Sequence, residues 1–244
     1  HPLSTNDRTP TITGTAVLLA DESLSLSLNG VSYAVGDGNL SLVGSDWTLA
    51  VPNANLLNEG VFEVTATVID SLGNANQDAT TDELNIDLTA PVVPTVSPSS
   101  SNSSTPLLSG TAVLGAGEFL SVTAQGVTYL EGDGHLSMIG STWLLQVPST
   151  SAFPGDGTYD IEATVIDAAG NASTDVTNGE FTLDSTLPDN ATVQILETNN
   201  VTPTISGTVS LGADETLTVQ VDGVTYVPGD GDLTLSGSQW FLTI

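Results

Sequence analysis

The constraint that limits this chain most is its internal repetition. Thr9-Pro-Thr-Ile-Thr-Gly14 returns as Thr105-Pro-Leu-Leu-Ser-Gly110 and again as Thr202-Pro-Thr-Ile-Ser-Gly207, a spacing of 96 and then 97 residues. The downstream segments keep the same spacing. Gly30-Val-Ser-Tyr33 matches Gly126-Val-Thr-Tyr129 and Gly223-Val-Thr-Tyr226, and Gly36-Asp-Gly38 matches Gly132-Asp-Gly134 and Gly229-Asp-Gly231. Each unit carries one Trp, at 47, 143 and 240. Ala66-Thr-Val-Ile-Asp-Ser-Leu-Gly-Asn74 matches Ala163-Thr-Val-Ile-Asp-Ala-Ala-Gly-Asn171, and Asp87-Leu-Thr-Ala-Pro91 matches Asp184-Ser-Thr-Leu-Pro188. A fixed period over this many motifs means a tandem array of one structural unit.

Each unit reads as all-β. Phe62, Val64, Ala66 and Val68 alternate with polar residues, as do Tyr159, Ile161, Ala163 and Val165, and Leu24–Leu28, Trp47–Val51, Leu84–Leu88 and Leu217–Val221 do likewise. Period-two alternation places one face in a core and the other in water. About seven such strands in roughly 100 residues, separated by Gly, Asp and Asn turns, predict an immunoglobulin-like sandwich of two antiparallel sheets. The expected division is residues 1–90, lacking part of a first strand, then 91–187, then 188–244, which stops less than halfway through its unit. This reading makes the sequence a window on a longer array, arranged as an extended rod. The Trp of each unit is expected in the core, with a sugar-stacking platform as the alternative.

Charge sets the next limits. The chain has 29 Asp and Glu against one Lys or Arg, a formal net charge of −28. A polyanion without a basic patch repels phosphates, which excludes nucleic acid and anionic membrane surfaces as partners. No apolar run is long enough to insert into a membrane. With no Cys, neither disulfides nor thiolate metal sites are available. Carboxylates with so little internal counter-charge oppose compaction unless cations bind or screen them, while the bland alternative is a merely soluble acidic surface.

The motif order TP-x-[IL]-[ST]-G, Gly-x-x-Tyr, a Trp strand, A-T-V-x-D-x-x-G-N and D-x-T-x-P resembles the bacterial Ig-like (Big-type) tandem repeats of giant type I-secreted, RTX-type and Bap-type biofilm adhesins. The resemblance covers essentially the whole chain. It implies secretion, display at the bacterial cell surface, and Ca²⁺ at or near interdomain junctions that stiffens the array. The longer Gly-Asp-Gly insert departs from the commonest version, and glycine-rich nonapeptide Ca²⁺ repeats are not found.

Hard Ca²⁺ prefers oxygen from Asp, Asn and carbonyls. Asp70, Asn74 and Asp87, with their equivalents Asp167, Asn171 and Asp184, are the expected ligands, the three oxygens of one unit converging on the start of the next. Asp78 and Asp175 are candidates to join them. Asp37, Asp133 and Asp230 in the Gly-Asp-Gly motif suit a hairpin turn, with a second metal site as the alternative. D-x-x-G-N can equally be only a turn in which Asp accepts backbone N–H bonds.

Neither His1 nor His135 anchors a nucleophile–base pair, so no enzyme is expected. The partners expected are neighbouring repeats of the same chain. Two rival readings are a filament subunit, in which other copies associate, and a carbohydrate-binding module, disfavoured by an aromatic content of 5%.

Overall fold

The computed structural model describes residues 3–244. Strands alternate with turns throughout, and the only helical segments among the described residues are two single 3₁₀ turns, Asn53–Asn55 and Ser149–Ser151. No helix is long and apolar enough to cross a membrane. The chain falls into two compact units, His1–Asp184 and Ser185–Ile244.

The first unit holds two sandwiches, and no sheet is shared between them. In the second sandwich, Leu107–Thr111 pairs antiparallel with Thr142–Gln146, which pairs with Leu136–Ile139, while Thr95–Val96 closes the other edge. The facing sheet runs Val127–Leu130, Phe119–Ala124, Ile161–Ile166, Ala172–Thr174. A third ribbon pairs Ser99–Ser101, Phe181–Leu183 and Gly157–Tyr159. The first sandwich repeats this pattern, with Ser23–Leu28 against Val64–Ile69 and Thr11–Thr15 against Asp46–Ala50. It has no counterpart of Thr95–Val96 among its described residues.

One expectation is corrected. The alternating run through Phe62 and Val64 is not a single strand. Gly60–Phe62 pairs with Leu84–Ile86 in one sheet and Val64–Ile69 pairs with Ser23–Leu28 in the other, with Glu63 at the break between them. Asp160 sits at the same break in the second sandwich. Alternation reports which face is buried, and both sheets bury the same core, so the pattern continues across a change of sheet.

Each repeat has its own core. Trp143, Leu145, Val122, Ala163, Val165 and Phe181 form the centre of one, and Leu26, Leu28, Leu49, Leu84 and Ile86 that of another. Trp143 is 0% exposed and Trp240 1%, so neither offers a surface for sugar stacking. The indole explains a glycine in the repeat. Trp143 Nε1 donates to the Thr95 carbonyl at 3.0 Å, and a Cβ on Gly110 would lie 2.0 Å from that same oxygen and 2.6 Å from the ring.

The unit Ser185–Ile244 carries the same first half of a sandwich. Thr204–Thr208, Gln239–Thr243 and Leu233–Ser236 form one sheet, and Val219–Val221 and Val224–Tyr226 form a hairpin over a core of Val209, Leu217, Leu233, Trp240 and Leu242. Trp240 Nε1 donates to the Thr192 carbonyl at 3.0 Å.

Candidate functional site at the junction of the first two repeats

The D-x-x-G-N hairpin is built by its own carboxylate. Asp167 Oδ1 accepts the N–H groups of Ala169 and Asn171 at 2.8 and 2.9 Å, and Gly170 takes a φ of 92° to close the turn. Its other oxygen, Oδ2, accepts from Asn171 Nδ2 at 2.8 Å. Asp70 repeats the set, with Leu72 N and Asn74 N at 2.9 and 2.8 Å and Asn74 Nδ2 at 2.7 Å. The Asn74 amide, followed by the Asn74 N–H, holds the Asp70 carboxyl below its ordinary pKa. For Asp167 burial pushes upward, and the Asn171 amide and the loop N–H groups outweigh it, so the net direction is also down.

The structure does not bring Asp70, Asn74 and Asp87 together. Ile69 pairs with Ser23, so Asp70 stands at the far end of its strand, whereas Ile86 pairs with Gly60 at the near end. Ten residues of extended chain separate the two ends, about 30 Å at roughly 3.3 Å per residue. The same antiparallel run puts Asp167 and Asn171 at the opposite pole from Asp184.

The grouping that forms is across the junction. Asn171 of the second repeat donates its Nδ2 to the carbonyl oxygen of Asp87 in the first at 2.9 Å. Ser173 Oγ donates to the Pro91 carbonyl at 2.7 Å, and Asn6 N donates to the Ala169 carbonyl at 3.0 Å. Ala169 is 8% exposed, but its equivalent Leu72 in the first repeat is 87% exposed. The hairpin of the second repeat is therefore seated on the end of the first, and its two halves, Asp87 and Asn171, lie 84 residues apart in sequence.

The Asn171 amide nitrogen joins two oxygens, Asp167 Oδ2 and Asp87 O, which converge on it at 2.8 and 2.9 Å. The carboxylate and the carbonyl are donor types a hard cation takes, and both converge on the point that the Asn171 amide nitrogen now fills. The residues present fit such an ion as a partial shell. No three Asp, Glu, His or Cys side chains cluster among the described residues, so the remaining ligands would be carbonyls and water. Asp87 Oδ1 accepts from Thr89 N at 3.0 Å and shapes the linker turn.

The other candidates lie elsewhere. Asp78 Oδ2 accepts from Ala66 N at 3.1 Å and Asp175 Oδ1 from Ala163 N at 2.7 Å, four residues back along the strand from Asp70 and Asp167, about 13 Å at the usual rise. They do not join the junction set. Asp37 accepts three backbone N–H groups, from Ala34, Asn39 and Leu40, at 3.0, 2.7 and 2.9 Å. Asp133 does so from Leu130, His135 and Leu136, and Asp230 from Val227, Asp232 and Leu233. In all three the carboxylate organises the hairpin tip from within. The Leu40 N–H first, then those of Asn39 and Ala34, hold Asp37 below its ordinary range. His135 stands in the second tip, edge-on to Tyr129 with centroids 6.0 Å apart. His1 lies outside the described residues.

Fold and repeat define the class: the chain is a tandem series of Ig-like β-sandwiches. Compared by sequence, it matches no family model and no curated protein. Among solved structures it is similar to part of a 1.5-MDa bacterial ice-binding adhesin, at 18% identity over 98% of this chain and 80% of that one, with a TM-score of 0.38. It is also similar to titin domains I67–I69, at 11% identity over 98% and 83%, TM-score 0.43. A tetra-tandem repeat from the extending region of a large adhesion protein matches at 22% identity over 99% and 63%, TM-score 0.30. All three scores are below 0.5, and the fold assignment rests on the strand pairing above.

Proposed function

We propose that the chain is an extender segment of a bacterial cell-surface adhesin, a series of sandwich spacers whose junctions are stiffened by Ca²⁺. The observation that carries this reading is the Asn171 amide held between Asp167 of one repeat and the Asp87 carbonyl of the previous one. It ties consecutive spacers together through residues that the repeat supplies to every junction of this kind. The Asp70–Asn74 hairpin and Asp184 each present one half of the same set.

A spacer needs a stiff joint more than a pocket, since in a nearest-neighbour array the interface decides how far the far end reaches. A divalent ion at the junction would balance part of a −28 charge that nothing else in the chain neutralises. The motif resemblance sets the extracellular, adhesive context.

The test is thermal unfolding and small-angle scattering of the chain in millimolar Ca²⁺ and in excess chelator. A higher melting temperature and a longer, stiffer profile in Ca²⁺ support the reading, because a ligand bound only by the native state stabilises it by mass action. The same melting and profile in both buffers would leave a Ca²⁺-independent spacer. Concentration-dependent polymerisation would instead favour a filament subunit.

A further inference from the structure

Each repeat has two open sheet edges that its Gly-Asp-Gly tip connects. In the first repeat they are Val31–Ala34 and Leu40–Val43. Leu28 and Val31 close the two-residue turn at Asn29-Gly30, so alternation points the backbone groups of Ser32 and Ala34 away from the sheet. Val43 and Asp46 close the next turn in the same way, which aims those of Leu40 and Leu42 outward. Rows of outward N–H and C=O groups invite a strand from another molecule, and proteins blunt them with charge or proline. Neither edge strand here contains a charged residue or a proline, in a chain with 29 acids. The same is true of Val127–Leu130 and Leu136–Ile139 in the second repeat, and of Val224–Tyr226 and Leu233–Ser236 in the third.

The tip occupies half of each row. Asp37 Oδ2 accepts from Ala34 N at 3.0 Å on one sheet edge, and Asp37 Oδ1 accepts from Leu40 N at 2.9 Å on the other. Asp37 N donates to the Ala34 carbonyl and Gly36 N to the Leu40 carbonyl, both at 3.1 Å, so the outward groups of these two residues are all taken. One carboxylate thus spans two sheets, over a single parallel rung between Val35 and Leu40. Asp133 joins Leu130 to Leu136, and Asp230 joins Val227 to Leu233, by the same pair of carboxylate bonds over the rungs Glu131–Leu136 and Pro228–Leu233. The flanking glycines have φ between 89 and 99°, which folds the carboxylate back between the two strands. One outward residue stays open on each edge strand: Ser32 and Leu42, Thr128 and Met138, Thr225 and Leu235.

We propose that the Gly-Asp-Gly tip is an autoinhibitory lock, which holds the two open sheet edges of each repeat shut against the matching edges of a second copy of this chain. A strand needs a run of free rungs to add to an edge, and the tip leaves it one per strand. A second copy is the occupant the repeat favours. Every copy presents the same uncharged edges once per repeat, so weak contacts between two such chains reinforce one another through effective concentration. The lock lies within single repeats and uses no junction residue, so it stands or falls apart from the Ca²⁺ reading.

The test uses the full chain in chelator and high salt, which screens repulsion between copies. In sedimentation velocity the wild type should stay monomeric across a concentration series, and the triple variant Asp37→Ala, Asp133→Ala, Asp230→Ala should form dimers and larger species as concentration rises. Hydrogen exchange locates the contact. In the wild type the amides of Leu130 and Leu136 should exchange at least about tenfold more slowly than those of Thr128 and Met138. In the associated variant Thr128 and Met138 should become protected. A triple variant that is folded by circular dichroism yet monomeric overturns the proposal, as does association that leaves Thr128 and Met138 unprotected. A wild type that associates, or whose four amides exchange alike, overturns it too. Should the alanine variant unfold, Asp37→Asn, Asp133→Asn, Asp230→Asn is read by the same criteria, since an amide keeps Oδ1 for the Leu40 N–H but sets its own N–H groups against that of Ala34.

Discussion

At the scale of single residues, most of the polar chemistry in this chain is spent on its own backbone. The Gly110 hydrogen occupies the one place where the Trp143 ring and the Thr95 carbonyl meet, and any Cβ there must displace one of them. Gly110→Ala is therefore expected to destabilise the second repeat by about 1–3 kcal/mol, read as a shift of its denaturation midpoint at unchanged slope. Leu145, fully buried beside that Trp, should cost about 2–5 kcal/mol as Leu145→Ala by the same measurement. The turn aspartates make a separate prediction. Asp37, Asp70, Asp133, Asp167 and Asp230 all have pKa values lowered from the ordinary 3.8 by the N–H groups or amides they accept. A depressed folded-state pKa gives stability that is complete above the unfolded value and is lost as pH falls through the folded one. In high salt, which screens the surface repulsion, melting temperature should hold level down to about pH 4 and fall below it.

At the scale of elements, the D-x-x-G-N hairpin shows one local structure serving two situations. Asp70–Asn74 and Asp167–Asn171 have the same internal hydrogen bonds, yet only the second is seated on another repeat through Asp87, Pro91 and Asn6. Asn171→Ala removes the amide that spans the junction and leaves the backbone turn to Asp167 Oδ1. Hydrogen exchange should then rise at Asn6 N, which is bonded to Ala169, with little change at the core strand Ile161–Ile166. Asn74→Ala makes the same local cut where no described residue of another repeat is seated, so it should leave the junction amides unmoved. The turn reading of this motif and the ligand reading are compatible, since Oδ1 builds the turn and Oδ2 faces the junction.

For the whole molecule, the quantity of interest is how repeats are coupled. In chelator, unbalanced carboxylates should leave the first two repeats joined only by a few hydrogen bonds at the linker, and their unfolding should separate into independent steps. In Ca²⁺ the two should melt together and at higher temperature, a difference a calorimetric scan resolves directly. Added Na⁺ alone, at matched ionic strength, screens but does not bridge and should recover less of that coupling.

The period, the strand alternation and the turn residues carried the fold: all-β sandwiches, a buried Trp, and Asp37, Asp133 and Asp230 as hairpin organisers were readable because each depends on contacts close in sequence or repeated at a fixed spacing. Those are properties of local chemistry, and a linear sequence contains them. What it did not contain was the assignment of poles. A period of 97 residues at these motifs says that Asp87, Asp167 and Asn171 recur with their copies, but not whether a hairpin tip and a strand end of one repeat lie together or at opposite ends. That depended on strand direction, and on Glu63 and Asp160 marking a change of sheet that burial alternation passes over unchanged. The sheet edges that Asp37, Asp133 and Asp230 cover belong to the same category, since a hairpin tip is legible as a turn but the outward direction of Ala34 and Leu40 is set by the strands they pair with.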